Sequence, residues 1–495
     1  MATGTRTIAV YADWEGLSAP LRLGSLRARR GAGREVFEFE FDRQALDDRA
    51  CANLQLDPRL GLFAGRQHPQ QGSASFGVFT DASPDRWGRL LMRRRLERAQ
   101  RAGTTAAGRL VESDYLLGVH DAFRVGALRF RLDDAGDFLD HQHDFAAPPF
   151  VQLRELEAAS LALERDEDNT AAQGDQWLRM LIAPGGSLGG ARPKASVVDP
   201  DGHLWIAKFP SVRDEHDVGA WEMVLHTLAR GCGLQVTESL ARRFANPHNT
   251  FLVKRFDRTD AGRRLHFASA MTLTGRQDGD DASTGASYLE IARVLIDHGA
   301  QTDMDLRELW SRIVFNLMVS NSDDHLRNHG FILVPGKGWR LSPAFDMNPV
   351  PHAQGLKLNI SQADNALDLD LARAVAPYFR VSVLDVERII GRCLTVVRQW
   401  RTIAAHVGVR SREQATIAAA FRLASDEGNV RVARATRLLL TEDDCRIELE
   451  AGVVESRCQL LALQLRRAVL PQHRVPSRRD RLLDSIDDRG GLYER

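Results

Sequence analysis

Cysteine is scarce in this chain. Its five cysteines, Cys51, Cys232, Cys393, Cys445 and Cys458, are odd in number and scattered, with no CxxC pair. That argues against a disulfide framework and a zinc ribbon, and fits a reducing cytoplasm. Long apolar runs are missing too: none reaches the roughly 18–20 residues a membrane helix needs, so no membrane span is expected. A charge bias is absent, with Lys+Arg and Asp+Glu both 66, so the global charge does not predict a nucleic-acid binder. The start, MATGTRTIAVYADWEG, lacks the basic-then-apolar pattern of a secretion signal. What remains is ordinary for a globular protein, 43% hydrophobic and 27% charged. At 495 residues the chain is too long for one core, and about two to four domains are expected.

The first segment reads as strands. TIAVYAD is short, apolar and β-branched. REVFEFEFD alternates, with Phe37, Phe39 and Phe41 on one face and Glu38 and Glu40 on the other. Asp81 to Pro84 is a helix-start signal for the basic stretch that follows, which carries Arg86, Arg89, Arg93, Arg94, Arg95, Arg98 and Arg101. Such a helix is either solvated or a contact for nucleic acid or an acidic partner. FAAPPF marks a boundary. Beyond it, ASVV and LWIAKF are strands around a DPDGH turn. DVGAWEMVLHTLARGCG is a helix closed by Gly231 and Gly233, and FLVKRFDR is another strand. The expected organisation is a mixed α/β N-terminal domain (1–148), a β-rich lobe (149–255), a mainly helical lobe (256–425) and a helical extension with a polar tail (426–495), which has no assigned role.

The stretch SNSDDHLRNHGFIL, residues 320–333, concentrates polar chemistry between an apolar helix and an apolar strand. Leu306, Leu309, Trp310, Ile313, Val314, Leu317 and Met318 fall on one face of the preceding helix. After the loop, FILV, a PGKG turn and GWRLSPAFDMNP form a hairpin whose second strand runs to near Asp346. Asp323, Asn328 and Asp346 therefore converge. Such hard oxygen donors suit magnesium rather than zinc. Alone the loop would be weak, since Asp and Asn also favour turns and caps.

It has company. GGSLGGARPKAS, which contains Ser187, Gly189 and Gly190, allows close backbone approach to phosphate, although it is not a GxxxxGK[ST] loop. Lys208 shares the inner face of its strand with Leu204 and Ile206, and a lysine there is costly unless an anion meets it. Glu222 in the next helix is a candidate partner. Gly-rich loop, strand lysine, helix glutamate, D-x4-N loop and a final aspartate follow the order of the parts that protein kinases use for phosphoryl transfer.

This pattern resembles the HipA family of toxin-type serine/threonine kinases. The likeness rests on SLGGARPKA, FLVKRFDR, NSDDHLRN and SPAFDMNP, and on FTDASPDRWGRLL and LLGVHDAFRVGALRF further upstream. It covers roughly residues 5–425. The resemblance implies a kinase-like bilobal α/β fold binding ATP and Mg2+ between lobes. Lys208 would contact the ATP phosphates, Asp323 would be the catalytic aspartate, and Asn328 and Asp346 would hold magnesium. The backbone near Arg255 and Phe256 would hold adenine, and Ser187 would autophosphorylate. It also implies a HipB-like helix-turn-helix antitoxin, operator DNA bound mainly through that antitoxin, a protein substrate such as a translation factor or aminoacyl-tRNA synthetase, and a role in persistence. Trp221 and Lys254 depart from the family pattern, which has an asparagine and an acidic residue there.

Blander roles stand beside these. His325 reads as a brace of the loop, His329 as a turn residue and Asp324 as a solvated or bracing neighbour. Lys194 either reaches phosphate or stabilises its own loop. Asp257 and Arg258 read as local structural bonds. Two other functions compete with the kinase. One is an inactive kinase-fold binding module acting as corepressor with a DNA-binding partner, which the intact Lys208, Asp323, Asn328 and Asp346 argue against. The other is a metal-dependent phosphoesterase, which would need a further His/Asp metal cluster.

Overall fold

The computed structural model describes residues 5–31, 34–52, 54–105, 108–141, 148–165, 181 and 192–425. Strands β1 (Thr5–Ala12), β2 (Leu21–Gly31) and β3 (Arg34–Phe41) form an antiparallel meander. With β4 (Arg66–Gln67) and β5 (Leu128–Arg131) they make a five-stranded sheet in the order β4-β3-β2-β1-β5. The alternation in β3 sets its faces. Phe37, Phe39 and Phe41 are buried, while Glu38 lies on the opposite side near Arg29 and Arg66.

Helix α1 (Arg86–Arg101) begins later than the sequence suggests. Its N-cap is Asp85, whose carboxylate accepts the Gly88 N–H at 2.8 Å. Asp81 lies in the short helix before it, where its carboxylate accepts from the Ser269 N–H (2.7 Å), the Ser269 hydroxyl (2.8 Å) and the Thr272 hydroxyl (2.7 Å). The capping geometry decides the matter: the cap needs an oxygen three residues ahead of an open N–H, and Asp85 supplies it. The arginines of α1 are partly spent inside the molecule. Arg89 forms a two-pronged pair with Glu112, Arg94 donates to the Leu163 carbonyl, and Arg86 pairs with Asp278.

Helix α2 (Leu153–Glu164) leads to a second sheet made of β6 (Lys194–Val198), β7 (Leu204–Lys208), β8 (Ser239–Arg242) and β9 (Thr250–Lys254), ordered β6-β7-β9-β8. Between β7 and β8 runs α3 (Val218–Cys232). Its C-cap is Gly233 at φ 84°, where glycine carries no steric penalty; Gly231 lies inside the last turn and takes no part in the cap. Trp87 and Leu91 of α1 share one core with Leu153 and Leu156 of α2 and with Val197 and Trp205 of this sheet.

The remaining part is mainly helical around a three-stranded sheet of β10 (Phe267–Ser269), β11 (Gly330–Val334) and β12 (Gly338–Leu341), ordered β10-β11-β12. Its helices are α4 (Tyr288–His298), α5 (Thr302–Val319), α6 (Val383–Val397), α7 (Trp400–Val407) and α8 (Ser411–Ile417). The apolar face expected of α5 proves too narrow a description, because every residue from Leu309 to Val319 is buried. Later helices cover its second side. Its polar members are bonded accordingly: Arg312 pairs with Glu308 and donates to the Ser342 carbonyl. Strand β12 also ends sooner than expected, at Leu341, so Asp346 stands in the loop beyond it at φ 60°.

His266 is sandwiched between the rings of Trp14 and Trp339, 5.7 Å from each, and thereby joins the first sheet's region to the hairpin. Neither ring nitrogen has a hydrogen-bond partner among the described residues. Burial pulls the imidazole down from 6.5 to about 3, so it is neutral in the fold. The sign follows. Below about pH 6.5 the unfolded chain gains a proton that the folded chain refuses until about pH 3, so stability is full above that window and falls as pH drops through it. At pH 5.5 the loss from this residue is on the order of 1 kcal/mol. Denaturant melts at pH 7.5 and 5.5 should show a smaller pH loss in His266→Leu than in the wild type; equal losses would mean that His266 does not stay neutral.

Candidate active site

Strand β7 ends on Lys208, whose side chain is 13% exposed. The inward position demands an anion, and two arrive. Glu222 comes from one turn into α3, with its Oε1 at 2.5 Å from the Lys208 Nζ. Asp346 comes from the loop after β12, with its Oδ1 at 2.6 Å. Burial would lower the ammonium's pKa, but Asp346 and Glu222 outweigh it and hold the value raised, so the lysine stays charged. Burial would raise the Asp346 carboxyl, yet Lys208 holds it at about 2. Glu222 is pushed upward by burial and by Asp346, against the pull of Lys208. Two carboxylates thus face one ammonium. The left-handed backbone at Asp346 is a sparsely populated conformation for a residue other than glycine, and here it stands at a site residue.

Helix α5 ends at Ser320, itself left-handed at φ 49°, and the polar loop turns away from there. Its two adjacent carboxylates separate. Asp324 is buried; its Oδ2 accepts from the Tyr288 hydroxyl (2.6 Å) and the Asn316 amide (2.7 Å), and meets the His329 Nε2 at 2.8 Å. It is a brace, and His329 braces it in turn. Asp323 lies on the open side, its pKa raised by burial and by Asp346 while His325 opposes. His325 gives the loop its backbone N–H, donated to the Asp323 carbonyl at 2.9 Å, but its buried Nδ1 has no hydrogen-bond partner among the described residues. The Asn328 Nδ2 donates to the same carbonyl at 3.1 Å, a bond that uses the amide's donor side and not its oxygen. Asn321 ties the two loops together: its Nδ2 donates to the Asn316 Oδ1 (3.1 Å), and its Oδ1 accepts the Asn348 N–H (3.2 Å).

A cleft of about 530 Å³, counted with its open mouth, lies beside the triad. Lys194, Ile206, His226, Arg255, Phe256 and Phe345 are among the residues lining it. The N–H of Arg255 donates to the Leu204 carbonyl, so that donor is not offered to the cleft. The Arg255 guanidinium instead pairs with Asp257, which also holds Arg258 and the Gly126 N–H. Ser187, Gly189 and Gly190 lie outside the described residues. Among the described residues, one group of three acidic or histidine side chains comes close enough to share an ion: Asp199, Asp201 and His203. It sits in the β6–β7 turn, where Asp199 accepts the N–H groups of Asp201, His203 and the Trp205 indole.

Trp221 precedes Glu222 and is fully buried against Trp400 and Phe421. Its indole N–H donates to the Glu413 Oε1 at 2.8 Å. The same oxygen accepts the N–H of Asp217, the N-cap of α3, at 2.9 Å. Helix α8 thus fixes the start of the helix that presents Glu222. Glu413→Ala would leave two donors without an acceptor and should cost about 1–3 kcal/mol, read as a lowered melting temperature. Glu413→Gln keeps an acceptor oxygen and should recover most of that loss; equal losses in both variants would show that charge, not the acceptor, matters.

The comparisons with known proteins can be set against this geometry. Residues 186–422 match the family described as HipA-like C-terminal domain. A putative kinase of Haemophilus influenzae is 27% identical over 187 residues, covering 34% of this chain and 54% of that protein. The putative kinase Y4dM of Sinorhizobium fredii is 31% identical over 167 residues, covering 31% of this chain and 39% of that protein. The chain therefore matches about half or less of these relatives' length. The HipA protein of Shewanella oneidensis, solved with HipB and its operator DNA, superposes with a TM-score of 0.55 at 16% identity. That match covers 84% of this chain and 95% of the other, and so extends the likeness in fold well upstream of residue 186. The α/β fold is similar to that protein's, and residues 186–422 are similar to the HipA-like C-terminal domain.

Proposed function

We propose that this chain is an Mg-ATP-dependent serine/threonine protein kinase of toxin type. The observation that carries the proposal is the Lys208 ammonium held between Glu222 and Asp346 at the edge of a cleft, with the exposed Asp323 near enough to Asp346 to feel its charge. Lys208 offers a fixed positive charge to nucleotide phosphates. With two carboxylates beside that one ammonium, a cation would accompany a bound polyphosphate. The donors fit magnesium: the Asp346 carboxylate and the Asn328 amide oxygen are hard ligands. Asp346 and Asn328 would hold the metal, which would supply positive charge against the phosphates. Asp323 accepts and orients the proton of the substrate hydroxyl, and Asp324, locked by Tyr288, Asn316 and His329, keeps the loop in place for it. Ser187 is the proposed site of autophosphorylation. By likeness to the Shewanella protein, a small helix-turn-helix antitoxin would be the partner, with operator DNA bound mainly through it. The substrate class proposed is a protein of translation, in a cytoplasmic setting.

The test is transfer of labelled phosphate from Mg-ATP in freshly made protein, with the labelled site mapped. Label at Ser187 in the wild type, reduced by at least about 100-fold in both Asp323→Asn and Asp346→Asn, is the expected result. Absence of both ATP binding and label would sink the kinase and promote the corepressor reading.

A further inference from the structure

Helix α8 runs on through a 3-10 turn, Ala418–Phe421, into a short helix, Arg422–Ser425. This segment bonds to each element that presents a site residue. Glu413 holds the start of α3, and so Glu222, through the Asp217 N–H and the Trp221 indole. The Ala420 carbonyl accepts the Ser320 hydroxyl at 2.8 Å, where α5 gives way to the loop of Asp323 and Asn328. The Arg422 Nη2 donates to the Ala353 carbonyl at 3.0 Å, in the chain that runs on from Asp346. Packing holds the segment in place: Phe421 stacks on Trp400 at 4.4 Å and lies 6.1 Å from Trp221.

Ser320 is where these ties cross. It is fully buried. Its carbonyl accepts the Ser322 N–H at 2.8 Å and the Val350 N–H at 3.1 Å, while its hydroxyl reaches Ala420. The Asp323 loop, the chain after Asp346 and the C-terminal segment thus meet at one residue. Its backbone is left-handed at φ 49°, the conformation that commonly ends a helix and that glycine adopts without penalty. A serine is strained there, and ending α5 does not require one. What serine adds over glycine is the hydroxyl, and the hydroxyl is the tie to Ala420.

We infer that Ser320 is a positioning residue for phosphoryl transfer: through its hydroxyl, the segment 411–425 sets the Asp323 and Asp346 loops against the helix that presents Glu222. The inference rests on the kinase reading above. A misplacement of about 1 Å between reacting groups can cost on the order of 100-fold in rate, so a tie remote from the chemistry has leverage on it.

The experiment follows phosphate transfer against Mg-ATP concentration, thermal melting and hydrogen exchange in the full chain, for the wild type, Ser320→Gly, Ser320→Ala, Arg422→Ala and Arg422→Lys. Ser320→Gly removes the hydroxyl and the strain together, whereas Ser320→Ala removes the hydroxyl and keeps the strain. Positioning predicts that the maximal rate falls about 10- to 100-fold in both, with half-saturating Mg-ATP within about threefold of the wild type. Amide exchange around Val350 should quicken in both, while Ser320→Gly melts higher than Ser320→Ala. Arg422→Ala should lower the maximal rate in the same way, and Arg422→Lys, which keeps a donor, should recover most of it. Should Ser320→Ala fail to fold, Ser320→Gly and the Arg422 pair decide. A rate that follows stability, like the wild type's in Ser320→Gly, would overturn the inference and leave a helix cap. A wild-type chain that transfers no phosphate would instead overturn the kinase reading, and this inference with it.

Discussion

One buried ammonium organises the molecule. Lys208 sits on the inner face of a strand, where it is tolerable only with anions in direct contact. Its two carboxylates lie 14 and 138 residues further along the chain. To deliver them, α3 must approach the second sheet with Glu222 inward, and the loop after β12 must return to the end of β7. Losing either carboxylate would leave the buried ammonium with one anionic partner instead of two. The fold is therefore bound to bring three separate segments to one point, and that point borders the cleft.

Each delivery has its own support. Glu413 fixes the first turn of α3 through Asp217 and Trp221. The Asp346 loop is fixed through Asn348 to Asn321, then through Asn316 to Asp324. These are directional bonds between buried and half-buried groups, and a small displacement would leave several groups unsatisfied at once. The geometry around Asp323 and Asp346 is thus set by polar contacts that apolar packing alone would not specify.

The parts that depend on local spacing could be read from the sequence. The alternation in β3, the inward Lys208 and the D-x4-N interval are properties of neighbours a few residues apart. The supports could not be read this way. Asn316 looks like one polar residue in an apolar helix, and Tyr288 like a core aromatic, until the fold brings both to Asp324. Glu413 looks like a surface charge on a short helix, and its partner Trp221 is 192 residues away. The burial of α5 on all sides was equally hidden, because a hydrophobic face shows where one neighbour lies and α5 has several. The helix start was misplaced by competition within SPD: Asp81 to Pro84 carries the right residue types, but a cap is decided by which oxygen meets the open N–H.

The same reasoning bears on where the functional unit begins. Buried polar contacts bind the N-terminal region to the rest, among them Asp81 to Ser269 and Thr272, Asp85 to Lys194, and Asp257 to the Gly126 N–H, the last reinforced by Arg255 donating to the Phe123 carbonyl. Buried charged contacts add little net stability compared with apolar packing of equal volume, whereas they penalise any misplacement heavily. Their effect is to fix orientation. A region attached only to remain folded would need the shared core of Trp87, Leu91, Leu156 and Trp205 and no more. This region is also oriented, through residues that lie beside β10 and line the cleft. On physical grounds the cleft is a property of the chain from about Asp81 to Glu413, wider than the stretch 186–422 that resembles the HipA-like C-terminal domain.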